Sequence, residues 1–455
     1  MKDGIEEELL VLAERAVQAA LAAGAQQAEA CAGGERELKV GFQRGDLGSV
    51  STSRETTLGL RVYVDGRLGF VTTNRGQDLG ALAAEAVAIA RCSPPDDFNG
   101  LPDPQPVPSL AALVSPDLAE LGPETLARLG GELAAMVAAT RDPRCPGAQV
   151  AVDTMDLSVH DSARAVVSST GVRQAHRSAS ASGGIFGMAI EDGQPGSFSY
   201  DGDAVRSAAE LPEALDRSFR RFAGKCLGAM GAGRGESFRG PIIVPAEVLS
   251  DLLLDAMLRG LCADTVRQGT SPFAGRLGER IAGPGFSLVE GGAGLAGHPI
   301  TPFDREGMPR QRRALVQDGV LSAFLYDGYE ARCVGGRSSG HAAGGAGSLP
   351  KVAPSCLEVG AGHLSLAQLE DVPRAVVVTR FSGSIEGSSG NFSGVVKGGF
   401  LISGGERRPV METTIAGNLW EALRAISGIS QERESFYGMR LFPAVRFEDI
   451  SISAA

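Results

Sequence analysis

The chain has 455 residues, 43% of them hydrophobic and 21% charged, enough apolar material for two or three packed units and too much for a disordered chain. A net charge of -11, with 18 Phe, 5 Tyr and 1 Trp, repels a phosphate backbone and offers bases few stacking platforms, so nucleic acid is not an expected ligand. Residues 5–23 place Ile5, Leu9, Leu12, Ala16, Val17 and Ala20 at helical spacing, and Gly24 is positioned to stop that helix. Strand text follows, clearest where Leu58, Leu60, Val62 and Val64 alternate into Asp65-Gly66 and out through Leu68 and Phe70. Asp-Gly between such runs predicts a type I′ hairpin, because both central positions need positive φ. A second helix carries Leu79, Leu82, Ala86, Val87 and Ala90 on one face, and residues 93–108 (SPPDDFNGLPDPQPVP) then hold six prolines. Such a segment cannot donate regularly to a sheet and reads as a linker.

Helical text over residues 123–140 opens the middle part, followed by long alternating strands from Val150 to Ile190 and a helix over Ala204–Leu227 with Phe219 and Phe222 on its stripe. The last part begins with a strand (Pro241–Val244) and a helix (Ala246–Asp264), then shows strand-turn-strand text around Asp318-Gly319 and Gly404-Gly405. Hairpins outnumber crossovers. The expected class is therefore α+β, mainly antiparallel sheets with flanking helices, in an N-terminal part (1–95), a middle part (109–228) and a C-terminal part (236–455). No apolar run reaches the ~18 residues of a membrane span, and the start MKDGIEEELL has acids where a signal peptide is basic, so the expectation is a cytoplasmic chain without a membrane partner. Seven Cys without a CxxC read as reduced, mostly buried thiols.

Isolated motifs do not settle a chemistry. A GxGxxG at Gly292, Gly294 and Gly297 is followed by HPITPFD, whose prolines deny a dinucleotide its helix N-terminus. A GxSxG centred on Ser338 lacks strand-turn-helix text, although Glu358 and His363 follow in hydrolase order. Asp304 and Glu306 in FDREG share one strand face and suit acid–base work with His298, or else form a solvated turn with an internal ion pair. No two of the five His are four residues apart, so no helix face offers two imidazoles to a metal.

From Pro241 onward the succession IIVPAEVLSDLLLDAMLRGL, GTSPFAGRLGERI, FDREGMPRQRRALVQDGVLSAFLYDGYEAR and SGNFSGVVKGGFLISGGERRPVMETTIAGNL resembles the TldD/PmbA family, peptidase subunits once called modulators of DNA gyrase. The hairpin TLGLRVYVDGRLGFVTTN agrees more weakly. The resemblance implies that Leu254 and Arg259 stand at the two His positions of the HExxxH of the catalytic TldD branch, with Asp255 at the Glu position. The C-terminal stretch RESFYGMRLFPAV also lacks the Cys that completes the zinc site. Neither Leu nor Arg offers zinc a lone pair. The chain thus looks like the PmbA branch, also called TldE, with no cofactor of its own and zinc expected in a TldD-type partner. The implied substrates are unfolded or modified peptides, held by glycine-rich strand text at Gly390, Asn391, Phe392, Ser393 and Gly394, where relatives often carry Asp in place of Asn391. Self-pairing as a homodimer in isolation fits the same reading. Two alternatives stay open: an independent hydrolase using Ser338 with His363 or His298 with Asp304 and Glu306, and a homodimeric peptide-binding scaffold.

Overall fold

The computed structural model describes residues 4–74, 78–108, 114–295 and 298–454, without the side chains of residues 119, 253–255, 298 and 299. Helix α1 (Ile5–Ala22) buries Leu9, Leu10, Ala13, Ala16, Val17 and Ala20 along one stripe, as its periodicity requires. Strand β1 (Gln27–Gln43) and strand β2 (Asp46–Val64) form a long hairpin, and β3 (Arg67–Thr73) turns back on β2 through Asp65 (φ 49) and Gly66 (φ 69), the predicted type I′ geometry. Helix α2 (Leu79–Cys92) starts at Asp78, whose carboxylate caps Gly80 N–H at 2.9 Å. It lies so close to β3 that a Cβ on Gly69 would sit 2.1 Å from the Ala86 carbonyl oxygen.

Beyond the proline segment come α3 (Pro123–Ala139), β4 (Gln149–Ser168), β5 (Arg173–Glu191), the short β6 (Gln194–Pro195), β7 (Ser199–Val205) and α4 (Leu211–Gly228). The helix expected from Ala204 thus begins at Leu211, with residues 199–205 completing a strand; Pro212 falls in its first turn, where a missing N–H costs nothing. All the pairings in this sheet are antiparallel, in the order β3-β2-β1-β4-β5-β6 with β7 also on β5. Because β1 pairs with β4 from Glu29 to Gln43, residues 1–95 and 109–228 share one sheet, and the proline segment runs past it without dividing it. One face carries apolar residues under α1, α2, α3 and α4; on the other, Cys31 and Val166 pack with Phe303 and Met308 of the last part.

The last part is a 12-stranded sheet whose centre runs Leu357–Val359, Arg440–Ser453, Phe238–Val244, Arg374–Ile385, Asn391–Ser403 and Glu406–Met411. Most pairs are antiparallel, with short parallel contacts at Val376–Val377 against Ile242–Ile243 and elsewhere. The turns at Asp318-Gly319 and Gly404-Gly405 fall where the strand-turn-strand text places them, with positive φ at both positions. Helix Ala246–Leu253 packs Ala246, Val248, Leu249 and Leu252 into this core. It does not run on as one regular helix to Asp264: Leu254–Leu258 forms a π turn, and a separate helix, Ala263–Arg267, follows.

The two sheets are joined through buried charges. Glu29 and Arg61 on β1 and β2 meet Arg305 and Glu306 of the FDREG segment: Arg61 donates to Glu29 (2.6 Å) and Glu306 (2.9 Å), and Arg305 donates to Glu29 (2.7 Å). Arg305 is fully enclosed. The proline segment is tied to the C-terminal part by Tyr329 to Asp96 (2.7 Å) and by Arg332 to the carbonyls of Phe98 and Gly100. Among the described residues no helix is long and apolar enough to cross a membrane.

Candidate functional site

Strand Arg374–Ile385 is paired along its whole length with Asn391–Ser403, but on its other side it meets Phe238–Val244 only at Val376 and Val377. Val244 then leads through Pro245 into helix Ala246–Leu253, so from Thr379 onward no strand among the described residues covers that edge. A cleft of about 530 Å³ fills the space. All seven consecutive residues Thr379–Ile385 line it, with Glu247, Asp251 and Leu252 on the helix opposite and Tyr200 and Lys225 from the middle part. Alternate residues of a strand point to opposite faces, so an unbroken run of lining residues marks the strand's edge rather than a face. The volume lies within the usual range of ligand clefts, about 300–1,000 Å³.

The cleft is polar and unevenly charged. Lys225 bridges Asp201 (2.9 Å) and Glu247, and although burial works against its charge, these carboxylates hold it above the ordinary Lys value. Asp201 also accepts from Ser218 (2.6 Å) and Arg221 (2.9 Å). Burial raises the Glu247 carboxyl against the pull of Lys225. Arg380 sits at a register irregularity between Val378 and Phe381, donates to Ser197 Oγ at 2.9 Å and lies 3.9 Å from the centroid of the Phe198 ring. None of these cleft residues is marked by sequence pattern. They come from four separate stretches that only the fold brings together, and the strand bulge that aims Arg380 has no signature of its own.

Of the HExxxH-equivalent positions, Leu254 and Asp255 belong to the π turn, and their side chains lie outside the described residues. Arg259 donates to Asp264 (2.9 Å) and to the Val352 carbonyl (3.3 Å). In an α-helix, positions five apart are turned about 140° from each other; the i→i+5 bonding of a π turn brings them nearer one face. The backbone therefore keeps the shape that two ligands five apart require, while the residues present do not fit zinc: leucine has no donor atom and the Arg259 guanidinium is protonated and engaged. Among the described residues no three His, Cys, Asp or Glu side chains are grouped to hold a metal.

Gly390 to Gly394 stand elsewhere than expected. Asn391, Phe392, Ser393 and Gly394 lie in a strand paired on both sides, with Arg374–Ile385 and with Thr413–Asn418, so no edge is open there for an added strand. Their glycines serve internal packing. A Cβ on Gly390 would sit 2.4 Å from the Trp420 ring, and one on Gly394 2.5 Å from the Phe381 ring. The open edge belongs instead to the neighbouring strand, beginning at Thr379.

The hydrolase candidates are not assembled. Ser338 Oγ accepts from Gly340 N–H (3.2 Å) and reaches only the Tyr326 carbonyl, while His363 lies on an exposed loop beside Ser430; among the described residues no hydrogen bond joins the two. Asp304 and Glu306 are buried, not a solvated turn: Asp304 accepts from the N–H groups of Glu306, Met308 and Ala342, each at 2.9 Å, and Glu306 takes Arg61 and Gly328 N–H. The His298 side chain lies outside the described residues, as does Gly297 of the GxGxxG. A grouping absent from the motifs, Ser339 Oγ 2.8 Å from His341 Nδ1 with Glu290 3.8 Å beyond, has a serine hydroxyl already tied to both backbone groups of Tyr326 and is sealed from solvent.

Fold and cleft together define a protein built on two large sheets with a strand edge lying open beside a helix. Two family models match the chain, PmbA/TldA metallopeptidase domain 1 over residues 28–90 and PmbA/TldA metallopeptidase C-terminal domain over residues 237–454, and the chain belongs to the PmbA/TldD metallopeptidase family. The metalloprotease PmbA of Escherichia coli O157:H7 is 26% identical over 409 residues, covering 88% of this chain and 86% of that protein. A metalloprotease TldD homologue of Haemophilus influenzae is 25% identical over 204 residues, 44% of this chain and 42% of that protein. The crystal structure of TldE from Thermococcus kodakarensis has the same fold, with a TM-score of 0.87, 21% identity and coverage of 97% of this chain and 99% of that one.

Proposed function

We propose that this chain is the non-catalytic subunit of a cytoplasmic metallopeptidase acting on unfolded or modified peptides, and that it pairs with a TldD-type subunit that carries the zinc. The observation that carries the reading is the open edge Thr379–Ile385 set beside a helix whose HExxxH-equivalent positions give zinc no donors. An extended peptide added to that edge is held by main-chain hydrogen bonds, which are indifferent to sequence and need an unfolded substrate. The cleft thus favours holding a peptide over cutting it, since zinc hydrolysis needs a metal-bound water that this chain has no ligands to place. The existence of TldD-named relatives supports a partner of similar build, because two related surfaces can meet about a pseudo-twofold axis.

Co-expression with a TldD-type subunit containing HExxxH tests the assignment. The expected result is a stable 1:1 complex in which zinc, counted by elemental analysis after dialysis, follows the partner. One zinc held tightly by this chain alone, or failure of the two to associate, contradicts it.

A further inference from the structure

Arg380 is a cation whose contacts in the cleft wall are all neutral. It donates to the Ser197 hydroxyl (2.9 Å), stacks over Phe198, and its Nη1 is enclosed without a hydrogen-bond partner. The other cation of the cleft, Lys225, is neutralised by Asp201 and Glu247. Arg221 nearby is likewise paired with Asp201. Arg380 also lines a second cavity of about 190 Å³ adjoining the first, with Thr379, Ser199 and Lys225 common to both. The strand irregularity at Val378–Phe381 accounts for the aim of its side chain, since a bulge redirects the residue it carries. An enclosed guanidinium donor without an acceptor is costly unless an anion supplies one.

We propose that Arg380 is the carboxylate anchor of the cleft, gripping either the C-terminal carboxylate or an Asp/Glu side chain of an extended peptide lying along Thr379–Ile385. The planar fork of arginine matches a carboxylate in two parallel hydrogen bonds. The inference rests on the peptide-holding reading of the same cleft, and the experiment separates the two.

An unstructured, fluorescently labelled peptide with no acidic side chain is titrated by anisotropy in three forms: free C-terminal carboxylate, C-terminal amide, and amide with one internal Glu. The full chain is used as wild type, Arg380→Gln and Arg380→Lys. Wild type should bind at least one carboxylate form about tenfold or more tightly than the neutral amide. Arg380→Gln should lose that margin, and a urea midpoint close to that of wild type shows that it is folded. Arg380→Lys should retain part of the margin. Tighter binding of the free acid identifies the C-terminus as the source, and tighter binding of the Glu form identifies a side chain. Equal binding of all three forms by wild type overturns the anchor and leaves the peptide cleft standing; no binding of any form overturns both.

Discussion

Asp327 shows how a single residue couples the junction between the sheets to pH. It caps helix Gly328–Cys333 by accepting from Glu330 N–H (2.8 Å), yet burial, followed by the charge of Glu306, pushes its carboxyl up to about 7. The folded state therefore binds a proton that the unfolded chain releases near its ordinary value of 3.8. The stabilisation from this group is complete below that ordinary value and is lost as pH rises through about 7. Asparagine caps a helix as well as aspartate and carries no charge. Asp327→Asn should exceed wild type in urea midpoint by more at pH 8 than at pH 5; a variant weaker than wild type at pH 8 contradicts the assignment. Arg61 poses the opposite case. Burial opposes the charge of Glu29, but Arg61 and Arg305 outweigh it and hold that carboxyl below its ordinary value. Arg61→Ala leaves Glu29 and Glu306 without their shared cation and should cost about 3–5 kcal/mol in equilibrium unfolding. A loss under about 1 kcal/mol, the level of a surface pair, is incompatible with this clamp.

Among the elements, strand Arg374–Ile385 is shaped by close approach on one side and left open on the other. A Cβ on Gly383 would fall 2.4 Å from the Ser393 carbonyl oxygen and 2.5 Å from the Phe381 ring. Gly383→Ala must therefore push this strand from its neighbour, at a cost of about 1–3 kcal/mol read by chemical denaturation, and should weaken peptide binding at the same edge; unchanged stability and binding speak against the packing described. Elements of this kind were unequally legible. Asp65-Gly66, Asp318-Gly319 and Gly404-Gly405 announce their turns because positive φ is a local demand. The π turn at Leu254–Leu258 does not, since the apolar spacing around it suits an ordinary helix equally well. The glycines at 390 and 394 are conspicuous in sequence, but the groups nearest them are side chains of this chain, the Trp420 and Phe381 rings.

For the whole molecule, the α+β class and antiparallel preference could be read from hairpin text, whereas the union of the first two parts could not, because the pairing of β1 with β4 joins residues more than a hundred positions apart. The FDREG clamp was hidden for the same reason, its partners Glu29 and Arg61 lying in the other sheet. This architecture predicts that proteolytic nicking within residues 93–108 releases no folded 1–95 fragment under native conditions, since β1 would lose its β4 neighbour; a freely eluting, folded fragment on gel filtration would falsify the shared sheet. The cleft likewise draws on both halves, with Tyr200 and Lys225 facing Thr379–Ile385. The most direct test of the central claim compares zinc-dependent cleavage of an unstructured peptide by this chain, by a TldD-type subunit and by their mixture. The account predicts no cleavage by this chain alone and more from the mixture than from either component. Zinc-dependent cleavage by this chain alone, persisting through repeated chromatography and in Asp255→Ala, would contradict it.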